Sequence, residues 1–217
     1  MNKIKLSLFS VIFFSFCSIS QEDYAFFYLD ESNVSIYSEN KGNFKEMFVT
    51  LNNASDENVN IIFPPGGVFL NSNEDEQDLV IIIGDKINLD ANESDKIKIY
   101  TVCASPGKKS PSYGNDSWDY SWDERIAHLL NFYNSNRSMV ELATGAEFHE
   151  TFEKRHNFLQ MCVWVFYDAK KSDVLNFATR NIFEGDKEKA NSYFDLFYPT
   201  AVTFVTLYKG FYNLGKN

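Results

Sequence analysis

Residues 158–167, read as FLQMCVWVFY, form the most apolar run of the chain after its first twenty residues, and they constrain the fold more than any other stretch. The run contains one polar residue, Gln160. A buried amide without hydrogen-bond partners costs about 1–3 kcal/mol, so another part of the fold must supply partners for Gln160. We expect Cys103, in the segment IYTVCASPGKKSPSYG, to lie at that place.

The first twenty residues have the pattern of a secretory signal peptide. Lys3 and Lys5 precede an apolar stretch from Leu6 to Phe16, and a small-x-small cleavage site occupies 18–20. The apolar stretch is too short for a comfortable membrane span. The sequence therefore predicts export to the periplasm, the cell surface or the extracellular space after signal-peptide cleavage. A lipid anchor on Cys17 is the alternative.

Charge and hydropathy limit the classes of partner. Cleavage after residue 20 leaves 18 basic and 30 acidic side chains, a net charge of −12. That excess disfavours nucleic acid and anionic membrane surfaces as partners. The acids are scattered over predicted turns such as 73–78 and 90–95, which indicates a role in solubility. No later segment is long and apolar enough for an integral membrane protein, and no residue pattern calls for a cofactor.

Strand patterns dominate residues 24–102. Short runs rich in β-branched and aromatic residues are separated by clusters of Asn, Asp, Ser and Gly. The runs are YAFFYL, NVSIYS, EMFVTL, VNIIF, LVIII and IKIYTV. Gly84 and Asp85 fit a two-residue hairpin turn, and the continuous run LVIII indicates a central strand. Seven or eight short strands in about 80 residues predict an N-terminal antiparallel Ig-like β-sandwich.

Helical spacing begins at residue 121, so the predicted fold class is α+β, a sandwich followed by a helical C-terminal half. Ser121 with Glu124, and Ser138 with Glu141, form capping boxes that predict helix starts. We expect helix also beyond Pro199. Three more helices are predicted over 148–167, 172–183 and 186–197. The predicted organisation is a signal peptide (1–20), a β-sandwich domain (21–103), a loop or linker (104–120) and a helical domain (121–217).

Three residues could carry chemistry. Gln160 and Trp164 share a helix face at i,i+4 spacing, and Cys103 lies where the last predicted strand meets the long loop. Attack of the Cys103 sulfur on the Gln160 amide would give an internal thioester with loss of ammonia. Such a bond needs a nucleophilic sulfur, a held amide and restricted water. Trp164 could supply the restriction, and the product could acylate an amine or hydroxyl of a partner.

This arrangement resembles the bacterial thioester domains of secreted surface proteins. In that family a cysteine ends a strand, and a downstream glutamine lies in a Gln-x-Ala-x-Trp helix motif. Cys103, Gln160 and Trp164 match in order and context, over a stretch of the chain from 97 to 168. The chain departs from the motif at Cys162, where alanine is usual. The resemblance implies single covalent attachment to a surface protein or glycan target, with Cys103 as nucleophile and leaving group and Gln160 as acyl donor.

Other interpretations remain open. A Cys103–Cys162 disulfide would join the two halves, worth about 2–4 kcal/mol, in a non-covalent binding or structural module. The two cysteines could also be separate buried residues that act as small hydrophobes. An enzyme with turnover would pair Cys103 with His128, His149 or His156.

Two further patterns each allow two interpretations. His149, Glu153 and His156 fall at i, i+4 and i+7 of the predicted third helix, where they would form either a metal-binding stripe or a solvated face. The aromatic residues of SWDYSW, residues 117–122, would form either an exposed ligand platform or a hydrophobic anchor at a helix start.

Overall fold

The computed structural model describes residues 34–40, 44–112 and 118–214 of the chain. Its N-terminal half is a mostly antiparallel sheet structure and its C-terminal half is helical, so the predicted α+β class is confirmed. The predicted signal peptide, Cys17 and the run YAFFYL lie outside the described residues.

The structure describes eight strands in the N-terminal half, and five of them fall on the runs predicted from NVSIYS to IKIYTV. The strands are β1 (Val34–Asn40), β2 (Glu46–Asn53), β3 (Val59–Phe63), β4 (Gly67–Asn71), β5 (Leu79–Ile83), β6 (Asp85–Leu89), β7 (Ser94–Cys103) and β8 (Trp118–Trp122).

Six of the strands form one antiparallel sheet in the order β1-β2-β7-β5-β4-β8, and β3 and β6 form a second, two-stranded sheet. The larger sheet curls until its two edge strands approach each other, in a nearly closed, barrel-like form. Ser38 of β1 and Tyr120 of β8 share a hydrogen bond across that gap. The smaller sheet packs on the larger one through Phe63, whose ring stacks on Phe69 and contacts Tyr120.

The predicted hairpin at Gly84 is wrong. β5 is buried and pairs with β4 on one side and β7 on the other, so neither of its edges is open to β6. The chain instead leaves the larger sheet at Gly84 and enters the smaller one, where β6 pairs with β3. The turn signal was local, whereas the pairing was decided by β4 and β7, which are distant in sequence.

The prediction for residues 118–123 also needs correction. Residues expected to be loop, and the Ser121 expected to cap a helix, form the edge strand β8 against β4. The first helix begins at Glu124, and its N-cap is Asp123, whose carboxylate accepts from the backbone N–H of Arg125 at 3.0 Å. The aromatic residues of SWDYSW are therefore strand residues and not a hydrophobic anchor at a helix start, with Trp118 buried and Tyr120 and Trp122 partly buried.

The helices of the C-terminal half are α1 (Glu124–Ser135), α2 (Arg137–Thr144), a 3-10 turn (Ala146–Phe148), α3 (Phe152–Phe166), α4 (Lys171–Asn181) and α5 (Lys187–Leu214). Gly145 ends α2 as predicted, with a φ of 99°. The predicted helices on either side of Pro199 are a single helix, α5, with the proline inside it. Within the described ranges, no helix has the length and apolar character needed to cross a membrane.

α3 is the central element of the protein, because it lies between the sheet and α5. The residues from 158 to 164 are all buried. Phe158 packs against Tyr133 of α1 and Phe204 of α5, at ring-centroid distances of 5.9 and 5.7 Å. The opposite side of α3 faces the end of β7, and the candidate site lies there.

Candidate functional site

The end of β7 extends beyond its pairing with β2. β2 begins at Glu46, opposite Tyr100, and the last backbone contact on that side joins Thr101 N–H to Lys45 C=O at 2.9 Å. Cys103 lies two residues further along, so its N–H and C=O on this side have to find other partners. Its neighbour on the opposite edge is β5, where it lies across from Leu79.

Gln160 of α3 supplies those partners. Its Oε1 accepts from the Cys103 N–H at 2.8 Å, and its Nε2 donates to the Cys103 C=O at 2.8 Å. Gln160 is 1% exposed and Cys103 is fully buried. The structure thus brings the two predicted residues together, but the hydrogen-bonded group is the Cys103 backbone rather than its thiol.

His156 makes a parallel contact one helical turn earlier. Its Nε2 donates to the Thr101 C=O at 2.7 Å. Four residues of helix rise about 6 Å and two residues of strand about 6.6 Å, so His156 and Gln160 match Thr101 and Cys103 in spacing. Two side chains of α3 therefore cover the β7 edge beyond the first residue of β2, where β7 has no strand neighbour on that side.

Trp164 lies one turn after Gln160 and is fully buried. Its ring packs edge-on against Phe177 of α4, with centroids 5.3 Å apart. Its indole N–H has no hydrogen-bond partner in the part of the chain that the structure describes. Trp164 therefore closes the α4 side of the site with apolar surface.

Both cysteines of the described chain are free and buried. Burial raises the pKa of the Cys103 thiol well above its usual range, so the thiol is neutral at neutral pH. Burial raises the pKa of the Cys162 thiol in the same way. Cys162, however, lies near Tyr133 and Tyr193 of the helical half. The structure does not contain the Cys103–Cys162 disulfide.

Two buried polar residues that the sequence did not single out fix the loop after Cys103. Gln77 accepts from the Ser105 N–H and donates to the Lys108 C=O, each at 3.2 Å. Glu76 accepts from the Ser112 N–H at 2.8 Å and from the Ser112 hydroxyl. Both lie in the predicted turn 73–78, whose acids the sequence assigns to solubility, and their burial distinguishes them from the exposed residues 72–75.

A cleft of about 720 Å³ lies beside this loop, between the sheet and the helices. Its walls include Ser105 of the loop, Trp122 of β8 and Tyr167 at the end of α3. The Tyr167 hydroxyl donates to the Asp123 carboxylate at 2.9 Å. Cys103 and Gln160 do not line the cleft, although Ala104 does, so the cleft reaches the residue next to Cys103.

The predicted stripe of His149, Glu153 and His156 does not form, because α3 begins at Phe152 and His149 precedes it. His149 is enclosed by the Tyr133 hydroxyl at 3.0 Å and the Thr144 hydroxyl at 2.9 Å. Across the described ranges, no group of three or more His, Cys, Asp or Glu residues could hold a metal ion.

The chain matches no protein-family model, no curated protein and no solved structure.

Proposed function

We propose that the chain is an exported, thioester-domain-like protein that joins Cys103 to Gln160 and then attaches itself once to a partner. The observation that supports the proposal is the pair of 2.8 Å hydrogen bonds between the Gln160 amide and the Cys103 backbone. These bonds hold an acyl group beside a cysteine in an almost fully buried setting, as formation of a thioester requires.

The proposed first step uses only atoms of the chain, and the second step needs only the nucleophile of the partner. The Cys103 Sγ attacks the Gln160 Cδ, the Cδ–Nε2 bond breaks, and the thiol proton leaves with that nitrogen as ammonia. A partner amine or hydroxyl then attacks the same carbon, forms an amide or ester, and returns the proton to the Cys103 sulfur. Because burial raises the pKa of the Cys103 thiol, we expect the first step to be slow at neutral pH.

Burial then preserves the product. Gln160 is 1% exposed, and Trp164 is fully buried one turn further along α3. A thioester enclosed in this way is protected from hydrolysis by water. Reaction with a partner therefore requires access from the cleft, which reaches Ala104. A surface protein or a glycan is the target class that we propose, and Trp164 is part of the shielding wall.

The intact mass of the mature, unreduced protein tests the bond. We expect a deficit of about 17 Da, one molecule of ammonia, that disappears on treatment with methylamine. Cys103→Ala and Gln160→Ala should abolish the deficit, and Cys162→Ala, which changes the cysteine on the other side of α3, should leave it in place. An unshifted mass in the wild-type protein would sink the proposal.

A second candidate function follows from a different feature of the same contact. Both polar atoms of the Gln160 amide are already satisfied by the Cys103 backbone, so the amide has a complete structural role without any reaction. On this proposal the protein is a non-covalent binding or structural module. An unshifted mass supports it with free cysteines, and a deficit of about 2 Da that reductant removes supports its disulfide form.

We also propose that the strand half is a two-layer sandwich of the Ig-like kind. The stacking of Phe63 on Phe69, which joins the two sheets, supports this assignment.

Export of the protein is tested separately from the thioester. Amino-terminal sequencing of the protein recovered outside the cytoplasm should begin at Gln21, and a chain that retains Met1 would contradict cleavage.

A further inference from the structure

Two side chains, one helical turn apart on α3, attach this helix to the end of β7. Gln160 is paired with Cys103 through two hydrogen bonds, whereas His156 is attached to Thr101 through one, of 2.7 Å. Of the two, only His156 has a side chain that can take up a proton when the solution is acidified. The state of the His156 ring therefore bears on how firmly α3 is held beside Cys103.

The contact with Thr101 fixes the tautomer of His156. A carbonyl oxygen only accepts, so Nε2 carries the proton and Nδ1 is an unprotonated acceptor. Nδ1 is buried and has no hydrogen-bond partner among the residues that the structure describes. The ring lies near two phenylalanines, Phe44 and Phe152, with centroids 6.3 and 6.0 Å away. A proton added at Nδ1 would place a charge in an apolar pocket without an acceptor.

The charged groups around His156 do not compensate for that burial. Burial lowers the pKa of the imidazole to about 4, and the positive charge of Lys45 acts in the same direction. The hydrogen bond to the Thr101 C=O and the carboxylate of Glu46 act in the opposite direction. On the α4 side, Phe177 packs on Phe44 and brings no charge.

We propose that His156 is an acid-sensitive latch, whose protonation releases the first half of α3 from β7 and so loosens the contact between Gln160 and Cys103. The latch is a property of the fold. That it regulates the reactive site rests on the proposed thioester function. Acidification would then be a condition under which the Cys103–Gln160 site opens to a partner.

The size of the effect follows from linkage. The released imidazole regains its ordinary pKa of about 6.5, whereas the held one has a pKa of about 4. The opening equilibrium should therefore rise about 30-fold between pH 7.5 and pH 5. The rise should be confined to contacts that α3 makes with β7.

Hydrogen exchange of two neighbouring amides, followed by NMR, gives the test. The Cys103 N–H is held by α3 through Gln160, whereas the Ala104 N–H is held by the Asp78 C=O on the β5 side, at 3.0 Å. After correction for the intrinsic exchange rate, we expect exchange at residue 103 to rise about 30-fold between pH 7.5 and pH 5. Exchange at Ala104 should rise much less.

Variants separate the latch from general acid instability. His156→Gln keeps a donor for Thr101 but does not titrate, so the pH dependence at residue 103 should vanish. His128→Gln, on α1, should retain it. Performing the series in Cys103→Ala, which cannot form a thioester, makes the result independent of the proposed bond, which intact mass tests by itself.

A second measurement does not depend on any variant. The His156 ring nitrogens should show the Nε2–H tautomer at pH 7.5 and begin to titrate only well below pH 6. Equal rises in exchange at residues 103 and 104, or an unchanged rate at residue 103 while His156 titrates, would overturn the proposal.

Discussion

Gln160 completes the hydrogen bonding of Cys103 as a residue of a neighbouring strand would. One side-chain amide pairs with both the N–H and the C=O of a single strand residue, each at 2.8 Å. A helix thereby supplies the partners of the β7 edge beyond the first residue of β2. The halves of the protein are joined by this backbone contact, so the position of α3 on the sheet depends on it.

Replacing Gln160 with leucine should lower the stability by about 2–4 kcal/mol, because it leaves a buried N–H and a buried C=O of Cys103 without partners. The free energy of unfolding in urea, measured in the Cys103→Ala background so that no covalent bond contributes, checks this. Asn191→Leu, on the exposed face of α5, is the polar-to-apolar control and should change the free energy of unfolding by less than about 0.5 kcal/mol. A loss of similar size in both variants would contradict the edge-pairing argument.

The sequence predicted Gln160 and its contact with Cys103 from the cost of burying an amide, which any fold must meet. It did not predict which atoms of Cys103 would pair, because that depends on the residue at which β2 begins. The sequence predicts a stripe of His149, Glu153 and His156, as a metal site or a solvated face, because the residue at which α3 begins cannot be read from a capping box. The contact of His156 with Thr101 follows from the helix–strand spacing, which only the assembled fold provides.

The wrong predictions in the strand half also arise because pairing depends on the assembled fold. Alternation and β-branched residues identified β1, β2 and β7, whose patterns are local. At Gly84 a favourable turn pair suggested a hairpin, but β5 already had a partner on each edge. The run WDYSW, rich in aromatic residues, is not predicted as a strand, because the capping pattern at Ser121 indicates a helix start there. In both places the outcome was decided by pairing with strands distant in sequence.

Glu76 should contribute stability that disappears in acid. Burial raises the pKa of its carboxyl, but hydrogen bonds from Ser112, Asn71 and Asn73 outweigh burial and hold the pKa below its usual value. A carboxyl with a lowered pKa stabilises the fold above its usual pKa of about 4.3, and that contribution is lost as the pH falls below it.

Glu76→Gln should therefore lower the free energy of unfolding by about 1–3 kcal/mol at pH 7, because an amide NH₂ would face other donors. The loss should shrink as the pH falls towards 3. Urea unfolding between pH 3 and pH 7 measures both effects. Glu74→Gln, two residues away and exposed, is the matched control and should change little. A loss that is the same at every pH would contradict this role for the carboxylate.

Gly66 and Gly185 have similar backbone angles but different surroundings, and alanine at the two sites should have different effects. Their φ values are 88° and 97°. A Cβ at Gly66 would lie 2.5 Å from the Ala127 Cα, whereas at Gly185 no described atom lies within 4 Å. Gly66→Ala adds a collision with α1 to the backbone strain, and Gly185→Ala adds the strain alone.

We therefore expect Gly185→Ala to cost about 1–2 kcal/mol and Gly66→Ala to cost more than about 4 kcal/mol or to prevent folding. Thermal unfolding measures the first, and the yield of soluble folded protein measures the second if the variant is unstable. Comparable losses at the two sites would contradict the close approach of α1 to the turn at Gly66.

Pro199 lies inside α5 and is exposed, so its replacement by alanine should stabilise the protein. Proline lacks the N–H that would donate to the Asp195 C=O, and its ring crowds the preceding turn. Pro199→Ala should raise the free energy of unfolding by about 1–2 kcal/mol. Gly210→Ala is the control on the same helix. No described atom lies within 4 Å of a Cβ at this site, so the variant should add about 0.5–1 kcal/mol through helix propensity alone. If Pro199→Ala lowers the stability while Gly210→Ala raises it, then the proline ring itself stabilises α5 and the helix-propensity argument is wrong.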